Sequence, residues 1–207
     1  MAPGIEVCPV RLPGRESRLL ERPYTDVLAL VTALREALDS FLDTPFAFYG
    51  HSMGALIAYE LACALSAERG IAPTHLFVSA HRAPHLPNRS RRVHSLPKAE
   101  LLQELRALDG ISEEVLAHTE LLELLLPTVR ADFTLVETYV HTASAPLDCP
   151  ITAFGAASDP RVSTEEMADW RAVTRGPFDM QVFPGGHFYI RDGSKPFLDV
   201  ISARLGA

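Results

Sequence analysis

The sequence feature that most constrains this fold is a serine between two glycines, at the junction of a predicted strand and a predicted helix. The pentapeptide Gly-His-Ser-Met-Gly at 50–54 follows the apolar run 45–49 and precedes the Ala/Leu-rich run 55–67. Such a sharp turn strains the backbone of the serine and leaves little room for neighbouring side chains, which favours glycine on both sides. The pattern predicts a nucleophile elbow, with the Ser52 hydroxyl beside a helix N-terminus that favours negative charge.

Two residues further along the chain could activate this serine. Asp159 follows the apolar strand predicted at 149–154, and His187 follows a predicted strand that ends at 183. A serine hydroxyl needs a base to take its proton, and the imidazole needs a carboxylate that fixes its tautomer and stabilises its cation. Because the order serine, acid, histidine is the one that an α/β-hydrolase requires, the sequence predicts a catalytic triad of Ser52, Asp159 and His187.

Each member of this triad has a simpler interpretation when it is taken alone. Ser52 could cap a helix, Asp159 could belong to an Asp-Pro turn, and His187 could be an ordinary surface or core histidine. Their order and their positions after strands favour catalysis. Asp148 and Asp179 compete for the role of the acid, but Asp148 precedes its strand and Asp179 begins one, so we expect both at the opposite edge of the sheet.

Composition limits the classes of partner. The chain has 207 residues, 47% hydrophobic and 22% charged, which suits one globular domain over 1–207. Its formal net charge of −7 argues against nucleic acid and against attraction to an anionic membrane. No apolar run is long enough to cross a bilayer, and no basic segment leads into a hydrophobic stretch at the N-terminus. We therefore expect a cytoplasmic protein with no membrane partner.

The cysteines and histidines give no sign of a metal. Cys8, Cys63 and Cys149 stand at unrelated spacings in apolar stretches, where buried and reduced thiols are expected. The eight histidines are scattered without the spacing of metal ligands. The sequence therefore predicts neither a disulfide framework nor a metal site.

Strands and helices alternate along most of the chain. This rhythm predicts an α/β fold with a mostly parallel sheet flanked by helices on both faces. The predicted strands lie at 5–10, 46–49, 74–79, 149–154 and 180–183, and the predicted helices at 24–42, 55–69, 164–173 and 196–205. Residues 82–142 interrupt the rhythm with helices predicted at 95–108 and 121–140. Because long insertions usually carry function, we expect a helical lid there.

With these residues placed, the chain resembles the type II thioesterases that accompany nonribosomal peptide and polyketide synthases, which belong to the α/β-hydrolase superfamily. The resemblance covers nearly the whole chain and is far more specific than the elbow alone. The matching segments are 12–16, 48–55, 79–84, 155–160 and 184–189, with 131–133 and 137–139 in the predicted lid.

The resemblance implies a substrate and a mechanism. Ser52, Asp159 and His187 would be the catalytic triad, and the backbone N–H of Met53 would donate to the oxyanion. The substrate would be an acyl thioester on the phosphopantetheine arm of an acyl or peptidyl carrier protein, hydrolysed through an acyl-serine. No cofactor of its own is implied, and we expect a monomer.

The predicted lid supplies two further hypotheses. Its leucine-rich faces could shape a chamber for the acyl chain, with Leu101, Leu105, Leu121 and Leu125 as candidates, or they could only pack the lid onto the body. The basic loop containing Arg89, Arg91 and Arg92 could meet an acidic carrier protein, or it could simply be solvated.

One departure from the family puts activity in question. Family members begin with an additional strand and a Pro-His-Ala-Gly-Gly-like loop that gives the second oxyanion donor, and this sequence starts after that loop. We therefore expect a chain that is N-terminally truncated relative to the family. Losing one oxyanion donor costs roughly 3 kcal/mol. A carboxylester hydrolase with the same triad and an inactive form that only binds carrier protein are alternatives. A malonyl-type acyltransferase usually has Glu where Ala55 stands, and it has no counterpart of the Asp159 loop.

Overall fold

A parallel sheet forms from the apolar runs of the sequence. The structure is a computed structural model that describes residues 4–89, 91–191 and 194–206. Its strands are β1 (Ala47–His51), β2 (His75–Ser79), β3 (Ile151–Ala156) and β4 (Phe178–Phe183). They lie side by side in the order β1-β2-β3-β4, and all three neighbouring pairs are parallel. The predicted α/β architecture is confirmed, and β2 and β3 are buried along their whole length because helices cover both faces.

The helices begin and end largely where the sequence predicts. Asp26 caps the first helix by accepting a hydrogen bond from the Ala29 N–H, and Gly70 ends the second in the left-handed conformation. In the described part of the chain no helix has the length and apolar character that a bilayer crossing requires. The helices are α1 (Val27–Leu38), α2 (Met53–Arg69), α3 (Lys98–Ala107), α4 (Glu113–Ala117), α5 (Thr119–Thr138), α6 (Thr164–Ala168) and α7 (Ser194–Arg204).

The two faces of the sheet bury different residues of the same strands. On β2, Leu76 and Val78 pack with α2 and with the single tryptophan, Trp170, whereas Phe77 packs with Phe154 and α7 on the other face. This alternation follows from the two-residue period of a strand. The core therefore fixes the central strands β2 and β3 from both sides, and with them the loops that follow these strands.

The strand predicted at 5–10 is wrong. These residues have no regular structure, and Val7 and Val10 are 62% and 50% exposed. A strand needs a neighbour for its backbone N–H and C=O groups, and none of the four described strands pairs with 5–10. Cys8 is consequently exposed and contradicts the predicted burial of all three cysteines, whereas Cys149 is buried.

Residues 82–142, named here the inserted segment, contain α3, α4 and α5 between β2 and β3. The predicted helices are therefore confirmed, and α5 continues through Pro127. The segment has an apolar cluster of its own, formed by Val93, Leu96, Leu101, Leu105, Leu122 and Leu126. The second half of α5 packs on the body instead, where Leu135 joins the cluster that α1 and α2 form.

Candidate active site

The turn between β1 and α2 has the strained geometry of a nucleophile elbow. Ser52 has φ 51° and ψ −119°, a conformation that L residues rarely adopt. A Cβ at Gly50 would lie 2.0 Å from the carbonyl oxygen of Gly54, so only glycine fits there. Gly54 differs from the prediction, because nothing lies within 4 Å of the position its Cβ would take. Close approach therefore requires glycine on one side of the serine only.

The three residues predicted as a triad meet at the carboxyl edge of the sheet. His187 Nε2 lies 2.9 Å from Ser52 Oγ, and His187 Nδ1 lies 2.9 Å from Asp159 Oδ2. The imidazole and the carboxylate are almost fully buried, with 6% and 1% of their side-chain surfaces exposed. Because the carboxylate accepts the hydrogen bond from Nδ1–H, Nε2 is left to accept the proton of the serine hydroxyl.

Backbone hydrogen bonds hold together the loop that carries Asp159, named here the acid loop, and the loop that carries His187, named here the histidine loop. The Ser158 N–H donates to the Gly185 carbonyl at 3.0 Å, directly beside Asp159 in the chain. The Asp159 Oδ1 atom accepts from the Arg161 N–H at 2.8 Å, which fixes the orientation of the carboxylate. Gly185 has φ +108°, so the turn before His187 needs glycine. The two loops therefore set the geometry between the acid and the base independently of the serine.

The two competing acids lie at the opposite edge of the sheet, as expected. Asp148 precedes β3 and forms two hydrogen bonds with the Arg175 guanidinium, at 2.7 and 2.9 Å. Asp179 lies near the start of β4 and pairs with Arg204. Neither carboxylate is available to His187.

Two polar residues near the elbow have structural partners. His51, directly before the nucleophile, has Nδ1 2.8 Å from Ser79 Oγ, and burial lowers the pKa of its imidazole to about 4. Arg15 binds both carboxylate oxygens of Asp132 on α5 at 2.5 Å. A cavity of about 10 Å³ beside this ion pair is also lined by Met53.

The leucines proposed to line an acyl chamber do not form one wall. Leu101 and Leu105 are buried in the inserted segment's own cluster, which differs from the alternative that they pack the lid onto the body. Leu121 is exposed, at the side of a groove of about 460 Å³ between α4 and α5, and Leu125 is half-buried. No group of three His, Cys, Asp or Glu side chains that could hold a metal occurs in the described ranges of the chain.

Sequence reasoning missed a buried carboxylate in the inserted segment. Glu137 on α5 accepts hydrogen bonds from the Val93 N–H at 2.8 Å and from the His94 N–H at 3.1 Å. Its Oε2 also lies 2.6 Å from His94 Nδ1. The signal in the sequence is a glutamate within the mostly apolar stretch 133–140, but its partners 43 and 44 positions away could not be deduced from it.

Comparisons with known proteins agree with this geometry. The family model of the thioesterase domain matches residues 1–205. Linear gramicidin dehydrogenase LgrE of Brevibacillus parabrevis is 43% identical over 204 residues, which cover 97% of this chain and 78% of LgrE.

Two similar solved structures carry the name thioesterase. The RedJ thioesterase from the prodiginine biosynthetic pathway in Streptomyces coelicolor is 40% identical with a TM-score of 0.88, over 95% of this chain and 74% of RedJ. The type II thioesterase BorB from the borrelidin biosynthetic cluster is 38% identical with a TM-score of 0.86, over 94% of this chain and 79% of BorB. This chain therefore belongs to the thioesterase family. It is a serine hydrolase with the α/β-hydrolase fold, and it acts on thioesters.

Proposed function

We propose that this enzyme hydrolyses acyl thioesters from the phosphopantetheine arm of a carrier protein in a nonribosomal peptide or polyketide pathway, with Ser52, His187 and Asp159 as its catalytic residues. The observation that carries the proposal is the continuous hydrogen-bonded path from Ser52 Oγ through the imidazole to Asp159. The pathway class is supported by YbtT, a similar solved structure whose name gives a type II thioesterase from the yersiniabactin NRPS/PKS biosynthetic pathway, 32% identical with a TM-score of 0.84.

The acylation step follows from the positions of the protons. Ser52 Oγ attacks the thioester carbonyl while its proton passes to His187 Nε2, and the buried Asp159 carboxylate stabilises the resulting imidazolium. The oxyanion forms beside the Met53 N–H, which belongs to the first turn of α2, where backbone N–H groups have no acceptor within the helix. The C–S bond then breaks, and the imidazolium returns its proton to the leaving thiolate.

Deacylation repeats the same steps with water. The neutral imidazole takes a proton from water, and the hydroxide attacks the acyl-serine carbonyl. When the C–O bond to Ser52 breaks, the imidazolium protonates the serine oxygen and a carboxylic acid leaves. No group beyond the chain's own residues and water is needed for the proton balance.

The inserted segment is proposed as the lid and as part of the surface that meets the carrier protein. Arg89 and Arg92 are exposed, whereas Arg91 is engaged with Glu100 and Glu104 of α3. Of these three arginines, Arg89 and Arg92 are therefore the ones whose guanidinium groups could pair with an acidic carrier protein. We further propose a monomeric, cytoplasmic enzyme.

The test compares Ser52→Ala with Ser66→Ala, which replaces a serine on α2, the helix that begins directly after Ser52, that the mechanism does not use. An acyl thioester on a phosphopantetheinylated carrier protein, a matched acyl-pantetheine thioester and the corresponding oxygen ester serve as substrates. We expect Ser52→Ala to lose at least about 10³-fold in kcat on both thioesters, and Ser66→Ala to lose nothing. Faster turnover of the oxygen ester, or equal activity of the two variants, would overturn the proposal.

The carrier part of the proposal has its own test. Replacing Arg89 and Arg92 together with alanine should raise KM for the carrier-bound thioester and leave the acyl-pantetheine thioester unchanged. An equal effect on both substrates would exclude these residues from a carrier surface.

A further inference from the structure

The Ser79 side chain at the end of β2 joins two elements of the active site. Its buried hydroxyl lies 2.8 Å from His51 Nδ1 and 2.7 Å from the Tyr189 hydroxyl. Its backbone carbonyl accepts the Ser52 N–H at 2.7 Å. One residue therefore contacts the nucleophile, the residue before the nucleophile, and the residue two positions beyond His187.

We propose that His51, Ser79 and Tyr189 are positioning residues, a hydrogen-bonded chain that sets the distance between Ser52 Oγ and His187 Nε2. The inference rests on the proposed function only in so far as His187 is the base that activates Ser52. Residues 51, 79 and 189 touch neither substrate nor the transferred proton in this scheme.

The need for such a chain follows from the sheet order. Ser52 follows β1 and His187 follows β4, with β2 and β3 between them. The direct link between these two side chains is the hydrogen bond at 2.9 Å, whose proton moves in every turnover. The His51–Ser79–Tyr189 chain spans the same gap without taking part in the chemistry. Misplacing a reacting group by about 1 Å can cost 10²-fold in rate, so a second link has a catalytic value.

The ring of His51 also packs against the histidine loop. Its centroid lies 5.4 Å from the centroid of His187 and 5.5 Å from that of Phe188. Burial first, and the charge on His187 second, lower the pKa of His51 to about 4, so this imidazole stays neutral while its neighbour takes up a proton. His51 can therefore support His187 mechanically without competing with it for charge.

The test removes single oxygen atoms from the chain. Tyr189→Phe and Ser79→Ala are compared with Tyr139→Phe, which removes a tyrosine hydroxyl that donates to Glu60 on α2, away from the strand ends. The first measurement is the rate at which a fluorophosphonate probe labels Ser52, which needs no knowledge of the natural substrate. The second is kcat and KM for an acyl-pantetheine thioester.

We expect Tyr189→Phe and Ser79→Ala each to slow labelling and kcat by about 10- to 100-fold with KM unchanged, and Tyr139→Phe to slow neither. In the double variant the two losses should not add, because both act through the Ser79 hydroxyl. Labelling of Tyr189→Phe at the wild-type rate, or fully additive losses, would overturn the inference. If Ser79→Ala does not fold, Tyr189→Phe alone decides.

The outcome is separable from that of the proposed function. A wild-type protein that is labelled but hydrolyses no thioester refutes the proposed function and leaves the labelling comparison intact. A wild-type protein that does not react with the probe refutes both.

Discussion

The carboxyl edge of the sheet and the inserted segment are held in place by different interactions. At the edge, the loops that follow the strands are joined by backbone hydrogen bonds such as Ser52 N–H to the Ser79 carbonyl, and Ser79, His187 and Tyr189 are buried. The inserted segment has a separate apolar cluster, and it is connected to the rest of the chain by the packing of Leu135 against α1 and α2 and by polar contacts. Examples of the polar contacts are the hydrogen bond from Thr128 to the Gly14 carbonyl and the partly buried ion pair of Arg15 and Asp132.

This difference suggests that the two regions open at different free energies. An ion pair that keeps some contact with solvent contributes between about 0 and 1 kcal/mol, whereas moving a strand end breaks packing on both faces of the sheet. The edge is therefore expected to stay fixed while the inserted segment opens locally. Substitutions at the carboxyl edge of the sheet should therefore change the reaction rate. Substitutions in the inserted segment should change how often that segment is exposed to solvent.

The largest expected effect concerns the acid. Asp159→Asn should lower kcat by about 10⁴-fold, because an amide cannot hold the imidazole in the required tautomer or stabilise its cation. Steady-state turnover of an acyl-pantetheine thioester measures this loss. Asp148→Asn is the matched control at the opposite edge of the sheet, and its activity should equal the wild-type value. Equal losses in the two variants would contradict the assignment of the acid.

Lowering the pH should decrease the free energy of unfolding of this protein. Burial lowers the pKa values of His51, His75 and His81 to about 4 in the folded chain. The unfolded chain, with histidine pKa values near 6.5, then binds more protons between about pH 6.5 and pH 4, so stability is retained above this window and falls as the pH decreases through it. Each of these histidines contributes at most roughly 1.4 kcal/mol per pH unit. Urea unfolding followed by the fluorescence of Trp170 measures the slope.

His75→Gln isolates one contribution to this slope. His75 lies at the start of β2, far along the strand from the catalytic edge, and its Nε2 lies 2.8 Å from Thr152 Oγ1. Glutamine does not titrate, so the variant should lose less stability between pH 6.5 and pH 5 than the wild type, whatever its stability at neutral pH. An unchanged slope would show that His75 titrates normally in the folded chain.

Glu137→Gln should loosen the inserted segment without moving the edge. The variant replaces one acceptor oxygen by an NH₂ group that faces the Val93 and His94 N–H groups, which should cost about 1–3 kcal/mol in the free energy of local opening. Hydrogen exchange over residues 91–108 should therefore become faster. The rate at which the fluorophosphonate probe labels Ser52 should remain close to that of the wild type.

The matched control is Glu123→Gln, in the same helix. Glu123 is exposed and pairs with Lys98 at the start of α3, so its loss should change hydrogen exchange far less. If Glu137→Gln slows labelling of Ser52 by as much as Tyr189→Phe does, the edge and the segment are not independent.

The sheet with its loops and the inserted segment also differ in how well the sequence predicts them. The sheet and its loops could be predicted because short apolar strands, the elbow glycine and the Asp159 and His187 positions are local signals. The strand predicted at 5–10 failed because an apolar pattern does not by itself supply a pairing partner. Leu101 and Leu105 were proposed as chamber residues because helical periodicity identifies a buried face, but not which surface covers that face.

The polar contacts between distant segments could not be predicted either, because the sequence does not show which elements pack together. Arg15 and Asp132 are 117 positions apart, and Ser79 and Tyr189 are 110 apart. Each belongs to a segment that resembles the family, yet no local pattern pairs them. Such contacts depend on how whole elements pack.

The smallest expected effect comes from the ion pair between the two regions. Burial raises the pKa of Asp132 more than Arg15 lowers it, so the cost of desolvating the carboxylate outweighs the attraction. Asp132→Asn should therefore change the free energy of unfolding by less than about 1 kcal/mol, measured in urea at neutral pH.

Asp132→Asn also tests how firmly the inserted segment is attached to the rest of the chain. Hydrogen exchange in α5 should rise only modestly, labelling of Ser52 should not change, and Arg15→Gln combined with Asp132→Asn should reveal a small coupling energy. A coupling above about 2 kcal/mol, or a clear loss of labelling, would mean that this contact holds the inserted segment as firmly as packing holds the strands. In that case the two regions would move as one unit, because the cavity beside the ion pair is also lined by Met53, the first residue of α2.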